Sequence, residues 1–497
     1  MSASPPPPLS SLSPRVLVAR FLRSNNYERT LAAFLEETGL PPELDLLASE
    51  PRSEDWTIEK ILEEKMVFDK SLEFERTAHE EGQGGWSIPA PSTPNIIETP
   101  SKSNLVTVMV QPYIKSSDDG HPEEASMIIV SGADKRVSLY DVQPPCSLIS
   151  TFEDLVDSPL LSGTYLYDGA YRAMTTMSGQ LLLFQGSKVI ASRKDHTKCA
   201  VAVVTFQEEP PVFQTSWLAT AGWDSRIYIY RITVLDVGEQ PTIGEPLAVI
   251  KTATVPECIL FMRSQRTGDL VLLASRRDST NLYYYLVESP LNRLEIGHRT
   301  INGQPHECPL LGKQNLAPHS NAWVAFSPSC FALSPRDPTL LAVATSSQPY
   351  MRLIFVRILM PTTSQSPSPE PTQRSGRRVA QALQAMADLG IHHREDAAIV
   401  AQVNTLAPQT AYSTPQVVWR PDGSGVWVNG EDGVIRGIEA RTGKLAVSLT
   451  GGHEPDSKVR AIWAGLVRVN EGENGFEERL VSGGFDKKLI MWTPERR

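Results

Sequence analysis

Apolar positions divide the chain into two textures. Near the start they recur at helical spacing: Val16, Leu17, Phe21 and Leu22 first, then, past Ser24-Asn25-Asn26, Tyr27, Leu31, Phe34 and Leu35. Ser13 stands where a capping side chain belongs. Pro14 takes the first helical position, where its missing N–H is not needed. Gly39 predicts the stop, and Pro41-Pro42 forbid continuation. Two helices this short do not bury their apolar faces against each other alone. The pattern therefore calls for a partner, most simply a second copy, with Leu17, Phe21, Tyr27, Leu31 and Phe34 as the dimer core. A third helix is predicted over 55–80. Ile58, Ile61, Phe68 and Leu72 hold a and d positions while Lys65 and Glu75 interrupt them, which fits either a short coiled coil or a solvated helix packing one stripe.

Residues 1–12, with Pro5 through Pro8, are expected to be disordered, and the helix pair occupies 13–42. Residues 82–103 are rich in Gly, Pro, Ser and Thr and predict a linker. From residue 104 to 497 short β runs alternate with turn signals.

Three stretches of that second part nearly repeat one another. They are Ile129 to Tyr140, Ala219 to Tyr230 and Val481 to Trp492, each an apolar run, a small-residue cluster, an Asp, then a strand ending in an aromatic. Further turns of the same kind fall at Ser178-Gly179, Asp278-Ser279, Ser347-Gln348 and Asp432-Gly433. The shortest spacings match the ~40–45-residue period of a four-stranded propeller blade. Seven blades are predicted, with six or eight as alternatives. The longer spacings require insertions, and the clearest is a low-complexity stretch at 361–395 containing Ser-Gln-Ser-Pro-Ser-Pro. It falls between the third and fourth strands of the fifth blade. Val379, Leu383, Met386 and Leu389 in it have helical spacing, and Ser366 and Ser368 each precede Pro.

Composition narrows the function classes. The net charge of −10 argues against broad nucleic-acid binding, and residues 1–100 carry 17 acidic against 9 basic side chains. No apolar run has the length of a membrane span, and Met1-Ser-Ala-Ser-Pro lacks the regions of a signal peptide. Cys146, Cys199, Cys258, Cys308 and Cys330 form no CxxC pattern and read as free thiols of a reducing compartment, cytoplasmic or nuclear.

The β region resembles the WD40 repeat family. The last unit carries Gly452-His453, Ser482, Asp486 and Trp492, the His–Ser–Asp–Trp set that in that family ties a blade together by hydrogen bonds; His196, Thr220, Asp224 and Tyr230 form a near-copy. Val130 stands where the first repeat needs a hydroxyl, and no unit ends in Trp-Asp. The N-terminal pair resembles the LisH motif through Tyr27, Thr30, Phe34, Glu37, Gly39 and Leu40, with Asn26 where many members have Gly. That resemblance implies homodimerisation. The LisH-then-propeller order is shared by lissencephaly-type dynein regulators, transcriptional corepressors and ubiquitin-ligase components. Trp-Asp-x-Arg, common where propellers dock on ligase adaptors, is missing at Tyr140-Asp-Val-Gln143 and Trp492-Thr-Pro-Glu495.

The resemblance also places the turns on one face, where Trp223 and Phe485, with Arg226 and Arg277, are the candidate partner contacts. The His453/Ser482/Asp486 set looks like a catalytic triad but reads as blade structure, since buried polar groups must be paired. His298, His306, Glu307 and Cys308 cluster in sequence, but their spacing fits no common zinc pattern. No phosphate loop, nucleophile elbow or cofactor motif is present. The expectation is a mainly β, seven-bladed WD40-type propeller behind a LisH segment. It acts as a non-enzymatic scaffold that homodimerises and binds other proteins, with no cofactor, metal, nucleic acid or membrane partner. The possible roles are a nuclear regulatory or ubiquitin-ligase complex or a lissencephaly-type cytoskeletal function. The different-class alternative is an enzyme using the propeller channel.

Overall fold

The computed structural model describes residues 14–39, 58, 62, 85–116, 122–153, 155–207, 214–234, 240–290, 305–318, 326–361, 390–391, 393–469 and 475–495. The chain divides into two compact units, Met1–Glu75 and Arg76–Arg497.

In the first unit, helix α1 (Pro14–Ser24) and helix α2 (Glu28–Thr38) pack on each other. Asn25 donates from its side chain to Phe21 O at 3.0 Å, and Asn26 takes a left-handed φ of 58°, so the chain reverses within three residues. Gly39, at φ 65°, closes α2 by donating its N–H to Leu35 O. Of the helix predicted over 55–80, Ile58 and Leu62 are described, both helical, and the rest lies outside the described residues, as do residues 1–12.

The second unit is a seven-bladed propeller. Its blades take in residues 105–152, 160–194, 200–251, 256–315, 328–408, 417–449 and 459–494. Six blades build outward in chain order. In the seventh, the outermost strand comes from far upstream: β1 (Pro91–Ile97) pairs antiparallel with Leu489–Pro494. Blade 3 carries one extra short strand, His306–Glu307, parallel to Ala248–Lys251. The seven innermost strands pack side by side in a closed ring, with Leu105–Ser116 against Val459–Arg468 completing it.

The apolar core is correspondingly divided. Each junction between neighbouring blades holds its own cluster, and alternate residues of one strand feed opposite junctions. Ile227 and Ile229 pack toward blade 4, whereas Tyr228 and Tyr230 pack toward blade 2. Strands covered on both faces need continuous apolar runs, which explains Leu181–Phe184 and Ile227–Tyr230.

The predicted linker at 82–103 is corrected. Its residues 91–97 are a strand of blade 7, so the sheet domain begins before residue 104. The composition misleads because an edge strand tolerates Pro91 and Pro94, whose missing N–H groups deprive no neighbour. Just upstream, Trp86 stacks edge-on against Trp427 at 5.1 Å and lies 4.4 Å under the Arg420 guanidinium. Arg420, 1% exposed, pairs with Glu478 at 2.7 Å and donates to the carbonyls of Ser87 (2.9 Å) and Pro89 (3.3 Å). The segment before β1 is thereby strapped onto blades 6 and 7.

The insertion lies between the third strand of blade 5, Tyr350–Arg357, and the fourth, Ile399–Pro408. Residues 362–389, with the Ser-Pro pairs and the helical pattern, fall outside the described residues. Its last turn is helical, and buried Glu395 there accepts from the Asn315 amide at 2.7 Å.

Candidate functional site: the turn face of the propeller

Five blades turn between their second and third strands at the repeated Asp, and blades 2 and 5 carry Ser178 and Ser347 at that turn. After the turn Asp the chain needs a left-handed residue, supplied by Lys135, Ser225, Gly433 and Lys487. In blade 4 Asp278 itself takes that conformation, at φ 58°. The small residue two places before the Asp has a steric cause. A Cβ on Gly484 would come 2.4 Å from Asp486 Oδ1 and 2.8 Å from His453 Nδ1, and one on Gly222 would come 2.3 Å from His196 Nδ1.

Blade 7 assembles all four of its marked residues. His453 Nδ1 lies 3.0 Å from Asp486 Oδ2, His453 Nε2 lies 2.8 Å from Ser482 Oγ, and Trp492 Nε1 donates to Ser482 Oγ at 2.9 Å. Asp486 also accepts from the Glu454 and Lys488 amides. Burial works to raise its pKa, but His453 and those amides outweigh it and hold the carboxyl below the usual range. Every polar atom of the set is spent on another member or on backbone, which is a clamp rather than a poised nucleophile.

Blade 3 repeats the clamp with one change. His196 meets Asp224 and Thr220, both at 2.9 Å, but the Tyr230 hydroxyl donates to Asp195 Oδ2 at 2.9 Å. Asp195 in turn holds Arg193 through two hydrogen bonds. The other blades use different partners. In blade 1, Ser101 donates to Asp134 at 2.8 Å, and Ser103 Oγ accepts from the Asp134 amide. In blade 6, Arg436 grips Asp432 at 2.6 Å. Sequence reasoning missed Ser101 and Ser103 because they lie in the stretch read as linker. It missed Arg436 because an Arg four residues after the Asp has no place in the repeat pattern.

The residues just ahead of the turn Asp point outward. Trp223 is 46% exposed and Phe485 39%. The Arg277 guanidinium lies 5.7 Å over the Trp223 ring, joining blades 3 and 4, and is held by Glu257 at 2.5 Å. Arg226 instead donates to the Tyr228 hydroxyl at 3.2 Å. Phe485 has its own cation, Lys458, at 5.6 Å. The four nominated residues thus form two groups on two parts of the ring, with Trp223–Arg277 and Phe485–Lys458 as the pairs. Beside Arg277 a cleft of about 710 Å³ opens along blades 4 and 5 and the connection from blade 5 to blade 6, lined by Arg276, Asp278, Ser327, Ser346 and Thr410 among others. Apolar rings under cations beside a polar cleft have the chemistry to receive aromatic and charged groups.

In the helix unit, Leu31 is buried, Leu17, Phe21 and Phe34 are half-buried, and Tyr27 is exposed. Val16, outside the nominated set, is also buried. The His298–Cys308 cluster comes apart. Cys308 packs into the core between blades 3 and 4, where burial pushes its thiol up to about 12, while His306 and Glu307 sit on an exposed edge and His298 lies outside the described residues. No helix among the described residues is long and apolar enough to cross a membrane.

Two family models match this chain. Residues 317–493 match the one described as "UCP007778, beta-propeller domain", and residues 15–41 match "UCP007778, LisH domain". The chain is also similar to a protein of Saccharomyces cerevisiae named "Uncharacterized protein YGR117C". The two are 24% identical over 370 residues, 70% of this chain and 74% of the yeast protein. The helix pair is thus a LisH segment in front of a seven-bladed propeller, a combination that suggests a protein-interaction scaffold.

Proposed function

We propose that this chain is a non-enzymatic, WD40-type scaffold that homodimerises through its LisH helices and offers two copies of the propeller turn face to partner proteins. The observation that carries the reading is the exposed Trp223 ring under Arg277, a guanidinium that also lines the cleft. Leu17, Phe21, Tyr27, Leu31 and Phe34 form the dimer core in this reading. It is supported by the incomplete burial of all but Leu31 within the described residues. Two linked faces raise apparent affinity through effective concentration, so each site works while individually weak. Five free cysteines fit a nuclear or cytoplasmic regulatory complex.

The test has two arms. Removing residues 1–42 halves the mass measured by light scattering and leaves the propeller folded; an unchanged mass refutes LisH-mediated pairing. Trp223→Ala and Arg277→Ala each strip partners from the affinity-purified protein without changing its melting temperature. Full retention of partners by both variants refutes the assignment of the face.

A further inference from the structure

The innermost strands share a defect that the repeat pattern does not announce. Six of the seven carry one extra residue beside the turn face, where two residues oppose one on the second strand. In blades 1, 2, 3, 5 and 7 the extra residue is Val106, Leu161, Val201, Ser329 and Arg460, and in blade 4 the swelling takes in Glu257. Such a bulge kinks its strand and re-aims a side chain. The second strand closes one side of each innermost strand. The extra residue therefore swells toward the side where that strand has no neighbour, which is the channel. Burial agrees with this. Leu105, Leu160, Ala200 and Val459, each just ahead of an extra residue, are buried, whereas the extra residues keep partial exposure. Glu257 and Ser329 also line the cleft, so the cleft runs to the channel mouth.

The mouth is divided in chemistry. Blades 1 to 3 supply three aliphatic side chains, Val106, Leu161 and Val201. On the other side the charges are unequal. Arg277 meets Glu257 at 2.5 Å, and Glu431 meets Lys458 at 3.0 Å. Arg460 has neither an ion pair nor a hydrogen bond among the described residues. It is partly exposed, yet the protein around it lowers its pKa, as expected of a crowded cation without a counter-ion. A fixed cation left uncompensated in the fold costs stability, and an incoming anion relieves that cost.

We propose that the channel mouth receives an acidic segment of a partner protein, with an Asp or Glu carboxylate on Arg460 and a neighbouring aliphatic side chain against Val106, Leu161 and Val201. This deepens the scaffold reading and rests on it, because it names what the turn face holds. One uncompensated guanidinium suits a monoanion, and its two parallel N–H groups match a carboxylate. A phosphate dianion would need a second free cation. Arg276 in the cleft is already turned onto the Tyr283 ring at 5.0 Å and the Thr254 hydroxyl at 3.0 Å, and Glu257 on the same ring opposes further negative charge.

The experiment measures fluorescence polarisation of labelled octapeptide pools on full-length protein. Each pool is random except for a central residue, Glu, Gln or phosphoserine, with leucine on either side. The Glu pool should bind about tenfold more tightly than the Gln pool, the loss expected for one hydrogen-bonded charge. Arg460→Gln should abolish that difference without lowering the melting temperature, and Arg460→Lys should keep part of it. Equal binding of the Glu and Gln pools by the wild type overturns the proposal, as does a phosphoserine pool that binds more tightly than the Glu pool. The wild-type comparison decides the question even if a variant folds poorly. Equal pools combined with loss of partners from Trp223→Ala would remove the channel site alone and leave the scaffold reading standing.

Discussion

Replacing Arg420 by Met should loosen the closure of the ring before it loosens anything else. The guanidinium is 1% exposed and its partner Glu478 10%. Removing the cation strands a carboxylate in a nearly dry junction, a change that costs about 3–5 kcal/mol. The carbonyls of Ser87 and Pro89 lose their donors as well, and Trp86 loses the cation 4.4 Å from its ring. Because these terms share one side chain they do not add, and about 4 kcal/mol is the expected total. That corresponds to a factor of about 10³ in the population of the opened state. Amide hydrogen exchange reads it locally: amides of β1 should exchange about 10³ times faster, while those of the strand Arg226–Val234 in blade 3 keep their protection. The double variant Arg420→Met/Glu478→Met removes the stranded charge and should recover about half of the loss, the remainder being the freed strap. Exchange of β1 within about threefold of wild type would refute this account of the closure. A double variant no better than the single one would show that the stranded carboxylate is not the cause.

Two further outcomes follow from neighbouring geometry. A Cβ on Gly437 would sit 2.5 Å from the Trp86 ring and 2.7 Å from Val447, so Gly437→Ala should lower stability by about 1–3 kcal/mol in urea unfolding. Trp86→Ala added to it should cost less than Trp86→Ala costs wild type, because removing the indole also relieves the clash. Asp486 and Asp422 both titrate below the usual carboxyl range in the folded protein, each despite burial, through His453 in one case and Ser87 and Ser424 in the other. The unfolded chain therefore takes up these protons first as pH falls. The stability they provide is complete above about pH 5 and is lost from about pH 4 downward. Asp486→Asn should flatten that acid limb in unfolding measurements from pH 6 to 3; an unchanged slope would count against the clamp.

The propeller was legible because its information is local and repeated. The turn Asp, the small residue before it and the flanking apolar runs lie within a dozen residues, as at Ala219 to Tyr230. What escaped was non-local. β1 has a strand's pairing but a linker's composition, and its partner lies at the other end of the chain. Ser101 substitutes for the clamp histidine of blade 1, a role that only its distance to Asp134 discloses. Trp86, Arg420 and Glu478 belong to one knot, yet nothing in their spacing relates them. The candidate face was half legible. The exposure of Trp223 and Phe485 followed from the repeat, but the cations over them, Arg277 and Lys458, come from adjacent loops, and only Arg277 was nominated.

The pairing of β1 also orders events during synthesis. Thr99, just past β1, bonds Lys487 across 388 residues of chain, so six blades emerge from the ribosome while β1 has nothing to pair with. A long unpaired apolar strand in that interval would invite association with other nascent chains. β1 instead carries Ser92, Thr93, Pro94 and Asn95 ahead of its two isoleucines, a composition that stays solvated and resists templating until Leu489–Pro494 arrives. The features that disguised β1 as a linker are those that let it wait, and the ring closes only once Leu489–Pro494 has been made.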